Sequence, residues 1–380
     1  MLPRSLELNL SGVRLTATYR LAGSEPDARA LAEDLCVEQT VEFPRALLPA
    51  GDIPNQVLGR VEEFSPAAFG HWCATVSFPV EAAGTGDLTQ LLNVLFGNIS
   101  IRPGVRLEAL DLPDSLCRHF AGPRFGREGL RALVGVNHRP LLATALKPMG
   151  LSAEQLADLA QEFALGGIDL IKDDHGLANQ SFAPWRERVA QCSEAVAQAN
   201  TKTGGHSLYL PNLNGPIESL LEKAHEAKRL GAGGLLIAPG LAGFDAMRAL
   251  ADDDSLALPL MSHPAFLGSY VTHPDLGISH KVLFGQVMRL AGADASVYPN
   301  YGGRFSFSPE ECQDIVTGTE VLMGKLASIF PAPGGGMTLE RVPELVKFYG
   351  RDVILLMGGG LFQGGGSIQD NTRRFLELLG

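Results

Sequence analysis

The chain has 380 residues, 45% of them hydrophobic, enough for a large core in two domains or in one barrel with an appendage. Its formal net charge of −11 excludes an extended basic face for nucleic acid or for an anionic membrane, so no nucleic-acid or membrane partner is expected. Anions would have to be held locally, by helix N-termini, glycine loops and a few lysines. Cys36, Cys73, Cys117, Cys192 and Cys312 show no CxxC spacing, which reads as structural thiols in a reducing compartment. The N-terminus lacks a basic start followed by an apolar run, and no window approaches the roughly 18 apolar residues of a membrane span. A cytoplasmic protein is expected.

In chain order, "GVRLTATYRL" alternates as a strand does and "DARALAEDLCVEQT" has helical spacing. "WCATVSFPV" alternates again, and "LTQLLNVLFGN" is helical. These elements predict a small α+β domain over residues 1–130. From Pro140 the pattern changes and repeats. The runs "LLATALKP", "IDLIKDD", "SLYLPNLNG", "GLLIAPG", "LPLMSHP", "ASVYPN", "ASIFPAPGGG" and "VILLMGGG" are separated by amphipathic stretches such as "SAEQLADLAQEFALGG". Near-continuous apolar strands belong to a parallel sheet covered by helices. Eight such units over residues 131–380 predict a closed (β/α)8 barrel.

Barrel chemistry sits at the C-terminal ends of the strands, and the unusual residues fall there. Lys147 ends the first strand, Lys172 to His175 end the second, and Asn212 and Asn214 follow the third. His263 follows the fifth, and Arg304 lies beyond the sixth in "YGGRF". Glycine runs at 334–336 and 358–360 close the seventh and eighth. Lys172 and Asp174 are two apart and point the same way, whereas Asp173 points to the other face. Lys172 reads either as the partner of Asp174 in a buried ion pair or as an amine whose pKa falls in low dielectric. A neutral amine there serves as a Schiff-base nucleophile, or takes up carbon dioxide as a carbamate that ligates a hard cation beside Asp174. The two glycine runs, on adjacent strands, read as a phosphate site built from backbone N–H groups. His263 reads as a core histidine or a proton shuttle, and Arg304 as a cation on a flexible loop.

In order, these segments resemble the large subunit of ribulose bisphosphate carboxylase (RuBisCO), and more specifically the RuBisCO-like proteins, relatives that do not fix carbon dioxide. "RPLLATALKPMGLS" is similar to the family's "RPLLxxxxKPKxGLS", and "GGIDLIKDDHGLANQSFAPWRERV" to its "GGxDFxKDDExxxxQPFxxWRxR" box. "FGN" at 96–98 precedes them, and "MSHPA", "YGGR", "PAPGGGM" and "MGGG" follow in order. The resemblance implies that Lys172 is the carbamylated lysine, that Asp174 is a Mg²⁺ ligand, and that Lys147 takes part in proton abstraction. It further implies His263 as an active-site histidine and Gly335, Gly336, Gly359 and Gly360 as phosphate-loop positions. Asn98 corresponds to the N-domain asparagine donated into a neighbour's site, so a homodimer with shared sites is implied. Glu38, in a looser alignment, corresponds to the N-domain glutamate.

The departures from the family pattern are chemical. His175 stands where the family has a second carboxylate ligand, which weakens a Mg²⁺ site and makes Mn²⁺ or Zn²⁺ more competitive. Met149 stands about where the second lysine of "KPK" belongs, Arg304 replaces the loop lysine, and Pro264 replaces an arginine beside the histidine. Carbon fixation on a bisphosphate is therefore not expected. The expectation is a metal-dependent enzyme acting through an enediolate on a phosphorylated keto-sugar or 3-oxo sugar acid. Its reaction would be decarboxylation or C–C cleavage of the 3-oxo-isoapionate 4-phosphate type, because "KDDHG" departs from the glutamate of the methionine-salvage enolases. The alternatives are a sugar-phosphate enolase or isomerase of methylthio-sugar salvage, a non-catalytic sugar-phosphate binder, and a Schiff-base aldolase using Lys172.

Overall fold

Each of the eight apolar runs becomes a barrel strand: Leu141–Leu146, Leu170–Asp173, Leu208–Leu210, Leu235–Ile237, Leu260–Ser262, Ala295–Pro299, Phe330–Gly334 and Ile354–Met357. The structure is a computed structural model that describes residues 5–305, 307–362 and 365–380. All the strand pairings of this sheet are parallel, and the eighth strand lies beside the first. Between the third and fourth strands a bridge at Asn212 and Leu236 completes the ring. There the Leu236 N–H donates to the Pro211 carbonyl and the Leu213 N–H to the Leu236 carbonyl, each at 2.9 Å. The predicted (β/α)8 barrel is thus the observed fold.

The helices start and stop where their side chains allow. Ser152 and Gln155 form a reciprocal capping box at the head of Ala153–Leu165. Gly204, at φ +71°, ends Trp185–Thr203 in the left-handed conformation. The barrel interior is one buried cluster that includes Leu141, Ala143, Leu170, Met261, Val297 and Ala332. Because strand side chains alternate, the face carrying Leu170 goes on to Lys172 and Asp174. In the same way Ala143 leads to Lys147 and Met261 to His263. The site residues are the continuation of the core face at the mouth of the barrel.

Contacts divide the chain into two compact units. The first comprises the chain up to Phe120 together with Leu267–Gln286 and Val321–Leu326, and the second comprises the remainder. The single boundary expected at residue 130 therefore has a more interrupted counterpart. The first unit holds a five-stranded sheet in the order Gly277–Ile278, Val105–Asp111, Arg14–Leu21, Trp72–Pro79, Arg60–Pro66. Helices Glu25–Glu38 and Leu88–Phe96 belong to the same unit, and the Tyr19 hydroxyl ties sheet to helix through the Leu95 carbonyl at 2.7 Å. Among the described residues no helix is long and apolar enough to cross a membrane. The five cysteines are free thiols.

Candidate active site at the strand ends

Asp174 sits just beyond the second barrel strand, and three groups converge on it. Lys147 Nζ lies 2.8 Å from Oδ2, His175 Nδ1 lies 3.1 Å from Oδ1, and the Gly176 N–H donates to Oδ1 at 2.9 Å. Burial opposes ionisation of this carboxyl, but the hydrogen bonds from His175, Lys147 and Gly176 outweigh it and hold the pKa well below the usual range. The ammonium on Asp174 is therefore that of Lys147. Lys172 instead donates to the Asp173 carbonyl at 3.0 Å, with its side chain fully buried. Burial, aided by Lys147 and opposed by Asp174, brings its pKa down to about 8. At pH 7 roughly a tenth of that amine is neutral, against well under ~0.1% for an ordinary lysine.

The two histidines stack. His175 and His263 have ring centroids 4.4 Å apart and planes inclined by 12°. The Ala265 N–H donates to His263 Nδ1 at 3.2 Å, which assigns the ring proton to Nε2. Burial first, then the charges of Lys172 and His175, push the His263 pKa down to about 2, so this ring is neutral near pH 7. A neutral imidazole with a fixed N–H is a hydrogen-bond donor to a developing oxyanion.

Asp173 faces the opposite way, as the pleat requires, and carries the buried ion pair. Arg188 Nε and Nη2 each lie 3.2 Å from Oδ2, and both side chains have zero exposure. The Tyr209 hydroxyl donates to Oδ1 at 2.8 Å, and the Asn212 N–H to Oδ2 at 2.9 Å. This hub also fixes the turn that presents His175. Asn212 Nδ2 donates to the carbonyls of His175 (2.9 Å) and Leu177 (2.8 Å). Gln180 Nε2 donates to the Gly176 carbonyl at 2.8 Å, and Arg188 to Ala178 and Ala183 at 2.9 and 2.8 Å. The supporting roles of Gln180, Arg188 and Tyr209 were not anticipated. For Gln180 and Arg188 the sequence signal is their spacing after "KDD", the spacing needed to wrap one turn, whereas Tyr209, 36 residues beyond Asp173 on the next strand, has none.

The glycine loops meet backbone to backbone. Gly335 and Gly336 take φ of +95° and +64°, and a Cβ on Gly360 would lie 2.7 Å from the Met337 carbonyl oxygen. Gly359 and Gly360 open a short helical turn that runs to Phe362. Arg304 lies in an exposed turn after the sixth strand, its guanidinium 4.6 Å from the centre of the Phe305 ring. In the first unit, Asn98 Nδ2 donates to Glu38 Oε1 at 3.0 Å and to Glu42 Oε1 at 3.3 Å. Glu38 and Asn98 share a groove of about 790 Å³ with Arg45, Arg102 and the exposed Ile101.

Among the described residues, no three His, Cys, Asp or Glu side chains cluster as metal ligands. Of the expected ligands, Asp174 and His175 offer an oxygen and a nitrogen at the strand ends, and Lys172 would add a second oxygen if its partly neutral amine took up carbon dioxide. On that condition the donor set suits a divalent cation, as two anionic oxygens and one nitrogen.

Parallel strands ending in lysine, carboxylate and imidazole groups define a (β/α)8-barrel enzyme. Residues 127–302 match the ribulose bisphosphate carboxylase large chain, catalytic domain. The chain is 39% identical to 5-methylthioribulose-1-phosphate isomerase of Rhodospirillum rubrum, over 96% of each chain. It is 36% identical to 2,3-diketo-5-methylthiopentyl-1-phosphate enolase of Geobacillus kaustophilus, over 73% of this chain and 67% of that one. The crystal structure of a RuBisCO-like protein from Rhodopseudomonas palustris superposes with a TM-score of 0.86 at 37% identity, covering 96% of this chain and 97% of that one. The chain belongs to the RuBisCO large-chain family, among its RuBisCO-like enzymes.

Proposed function

We propose that the enzyme isomerises a methylthio-sugar 1-phosphate of the 5-methylthioribulose 1-phosphate kind. The relatives favour this alternative over the sugar-acid cleavage expected from "KDDHG", since the names of two of them specify methylthio-sugar phosphates. The observation that carries it is the meeting of Lys147, Asp174, His175 and His263 at one mouth of the barrel.

Isomerisation moves a proton between carbons next to a carbonyl, with no net oxidation, so it needs a proton carrier and a donor to the enediolate oxygen. Lys147 moves the proton: once it has given up its own proton and left Asp174, its amine accepts a proton from one carbon and returns it to the next. His263 donates its Nε2–H to the oxygen where charge develops. The backbone of Gly335, Gly336, Gly359 and Gly360 takes the phosphate, and Arg304 supplies a cation from its loop. Asp174, His175 and carbamylated Lys172 would hold a divalent cation (Mg²⁺, or Mn²⁺ or Zn²⁺ given the histidine), which would supply electrophilic stabilisation of the same charge. Asn98 and Glu38 of a second copy complete each site, which makes the working unit a homodimer. A phosphorylated metabolite and free thiols support a cytoplasmic reaction.

The test is proton and phosphorus NMR of 5-methylthioribulose 1-phosphate with the enzyme in D₂O. Deuterium uptake at a carbon beside the carbonyl, with a new sugar-phosphate product, supports the proposal. Turnover of 2,3-diketo-5-methylthiopentyl 1-phosphate alone would make it an enolase. Carbon dioxide release from 3-oxo-isoapionate 4-phosphate, with no exchange in either methylthio compound, would restore the sugar-acid reading.

A further inference from the structure

The loop after the sixth strand and the glycine loop after the seventh are bound to each other by a side chain outside both. Arg341 precedes helix Val342–Tyr349, and its Nη1 donates to the Gly336 carbonyl at 2.7 Å and to the Tyr301 carbonyl at 3.3 Å. The guanidinium also lies 5.1 Å from the Tyr301 ring centre. Glu344, one turn along the helix, orients it at 3.4 Å and accepts from the Tyr301 hydroxyl at 2.7 Å. The far end of the helix grips the adjacent residue, with the Tyr349 hydroxyl donating to Asn300 Oδ1 at 2.7 Å.

Glycine is required on both sides of this junction. A Cβ on Gly302 would lie 3.0 Å from Arg341 Nη1, and one on Gly336 would lie 2.7 Å from Gly303 Cα. Both glycines have positive φ, +72° and +64°. The backbones at Gly303 and Gly336 therefore interlock with no room for a side chain, and Arg341 bonds to both loops. Arg304 lies three positions beyond the clamped Tyr301, and the clamped Gly336 is one of the proposed phosphate-loop positions.

We propose that Arg341 is a positioning residue that couples the two loops: an anion seated on Gly335 and Gly336 sets, through Arg341, the conformation of the segment carrying Arg304. The coupling rests on the phosphate-loop reading under Proposed function, whereas the clamp itself does not. With Nε and Nη2 held on Glu344, the planar guanidinium aims Nη1 at both carbonyls, so a shift in one loop reaches the other; a lone ammonium, lacking that second edge, is not held in place.

Arg304 is exposed, so trypsin reads its loop directly. The full-length protein is digested with and without inorganic phosphate, the cut after Arg304 is followed by mass spectrometry, and phosphate binding is measured separately by calorimetry. In the wild type, phosphate is expected to slow this cut several-fold. Arg341→Gln should be cut about tenfold faster without ligand and should lose the phosphate protection while still binding phosphate. Arg341→Lys, which keeps the charge without the fork, should behave like Arg341→Gln. Wild-type behaviour of Arg341→Lys would overturn the bridging role, and full protection in Arg341→Gln would overturn the coupling. If Arg341→Gln does not fold, Tyr301→Phe removes the Glu344 bond alone and should be cut two- to threefold faster (about this range for one surface hydrogen bond); an unchanged rate would count against the clamp. Absence of phosphate binding in the wild type would refute the phosphate-loop reading and the coupling with it. The unliganded cleavage rates would still decide the clamp.

Discussion

Lys147 and Asp174 form a 2.8 Å ion pair across the ends of the first and second barrel strands, with the lysine half exposed and the carboxylate largely buried. The pair places a mobile proton donor on a fixed, strongly acidic carboxylate beside the stacked histidines. Replacing Lys147 with Met should lower kcat by about 10²–10⁴-fold, the range of a lost general acid–base. Deuterium exchange of the substrate in D₂O should fall by the same factor, since chemistry and not binding is affected. Exchange at the wild-type rate would remove Lys147 from proton transfer.

Lys172 is buried at a cost in stability. Its pKa of about 8 in the fold lies below the ordinary lysine value of 10.5, so between those values the unfolded chain binds more protons than the native one. Stability from this group is therefore lowest below pH 8 and rises as pH climbs towards 10.5. Lys172→Met should be inactive yet more stable at pH 7, by about 2–3 kcal/mol, with the gain shrinking at pH 10. Urea unfolding of both proteins at the two pH values checks this. A variant less stable than the wild type at pH 7 would mean that the amine is paid for by contacts not recognised above.

His175 should set the metal preference. With one nitrogen among the donors, Mn²⁺ is expected to bind at least about tenfold more tightly than Mg²⁺ in the presence of bicarbonate. His175→Glu supplies a second carboxylate and should narrow that ratio by strengthening Mg²⁺. Calorimetric titration with each ion reports this without any assay of turnover. Equal ratios in the two proteins would show that His175 is not a ligand.

The proposed shared sites make a prediction about mixtures. Asn98→Ala and Lys172→Met should each be nearly inactive, because one damages the donated residue and the other the barrel. Unfolded together and refolded, they should recover about a quarter of wild-type activity, since half the dimers are hybrids with one intact site of two. No recovery, with dimers present by light scattering, would mean that Asn98 does not serve a neighbour's barrel.

How much of this was legible depends on what each residue faces. The eight barrel strands could be read because strands buried on both faces are continuously apolar, and the pleat told Asp173 from Asp174. The strand Arg60–Pro66 was not read, since it lies at the sheet edge with most of its side chains exposed. Val105–Asp111 was not read either: Arg106 and Glu108 interrupt its apolar pattern, and their charges meet each other at 3.4 Å. Parity could not say which of two interior-facing lysines would reach Asp174, because that depends on how far Lys147 leans from a neighbouring strand. The Tyr301–Arg341 contact joins residues 40 apart through backbone carbonyls, which leave no trace in side-chain patterning.

The buried pair behind the site gives the sharpest test of the supporting network. Asp173 and Arg188 have no exposed side-chain surface, and each also binds the turns around His175. Removing one partner strands a charge in low dielectric, so Arg188→Met should destabilise the fold by about 3–5 kcal/mol. Asp173→Asn keeps an acceptor for Tyr209 but leaves Arg188 uncompensated, so its cost should be of similar order. The double variant should be less damaging than the sum of the two, because no lone charge remains. The 174–183 turn would still lose its anchors, so activity should not return with stability. Recovery of both together would show that the network serves the fold alone and does not position His175.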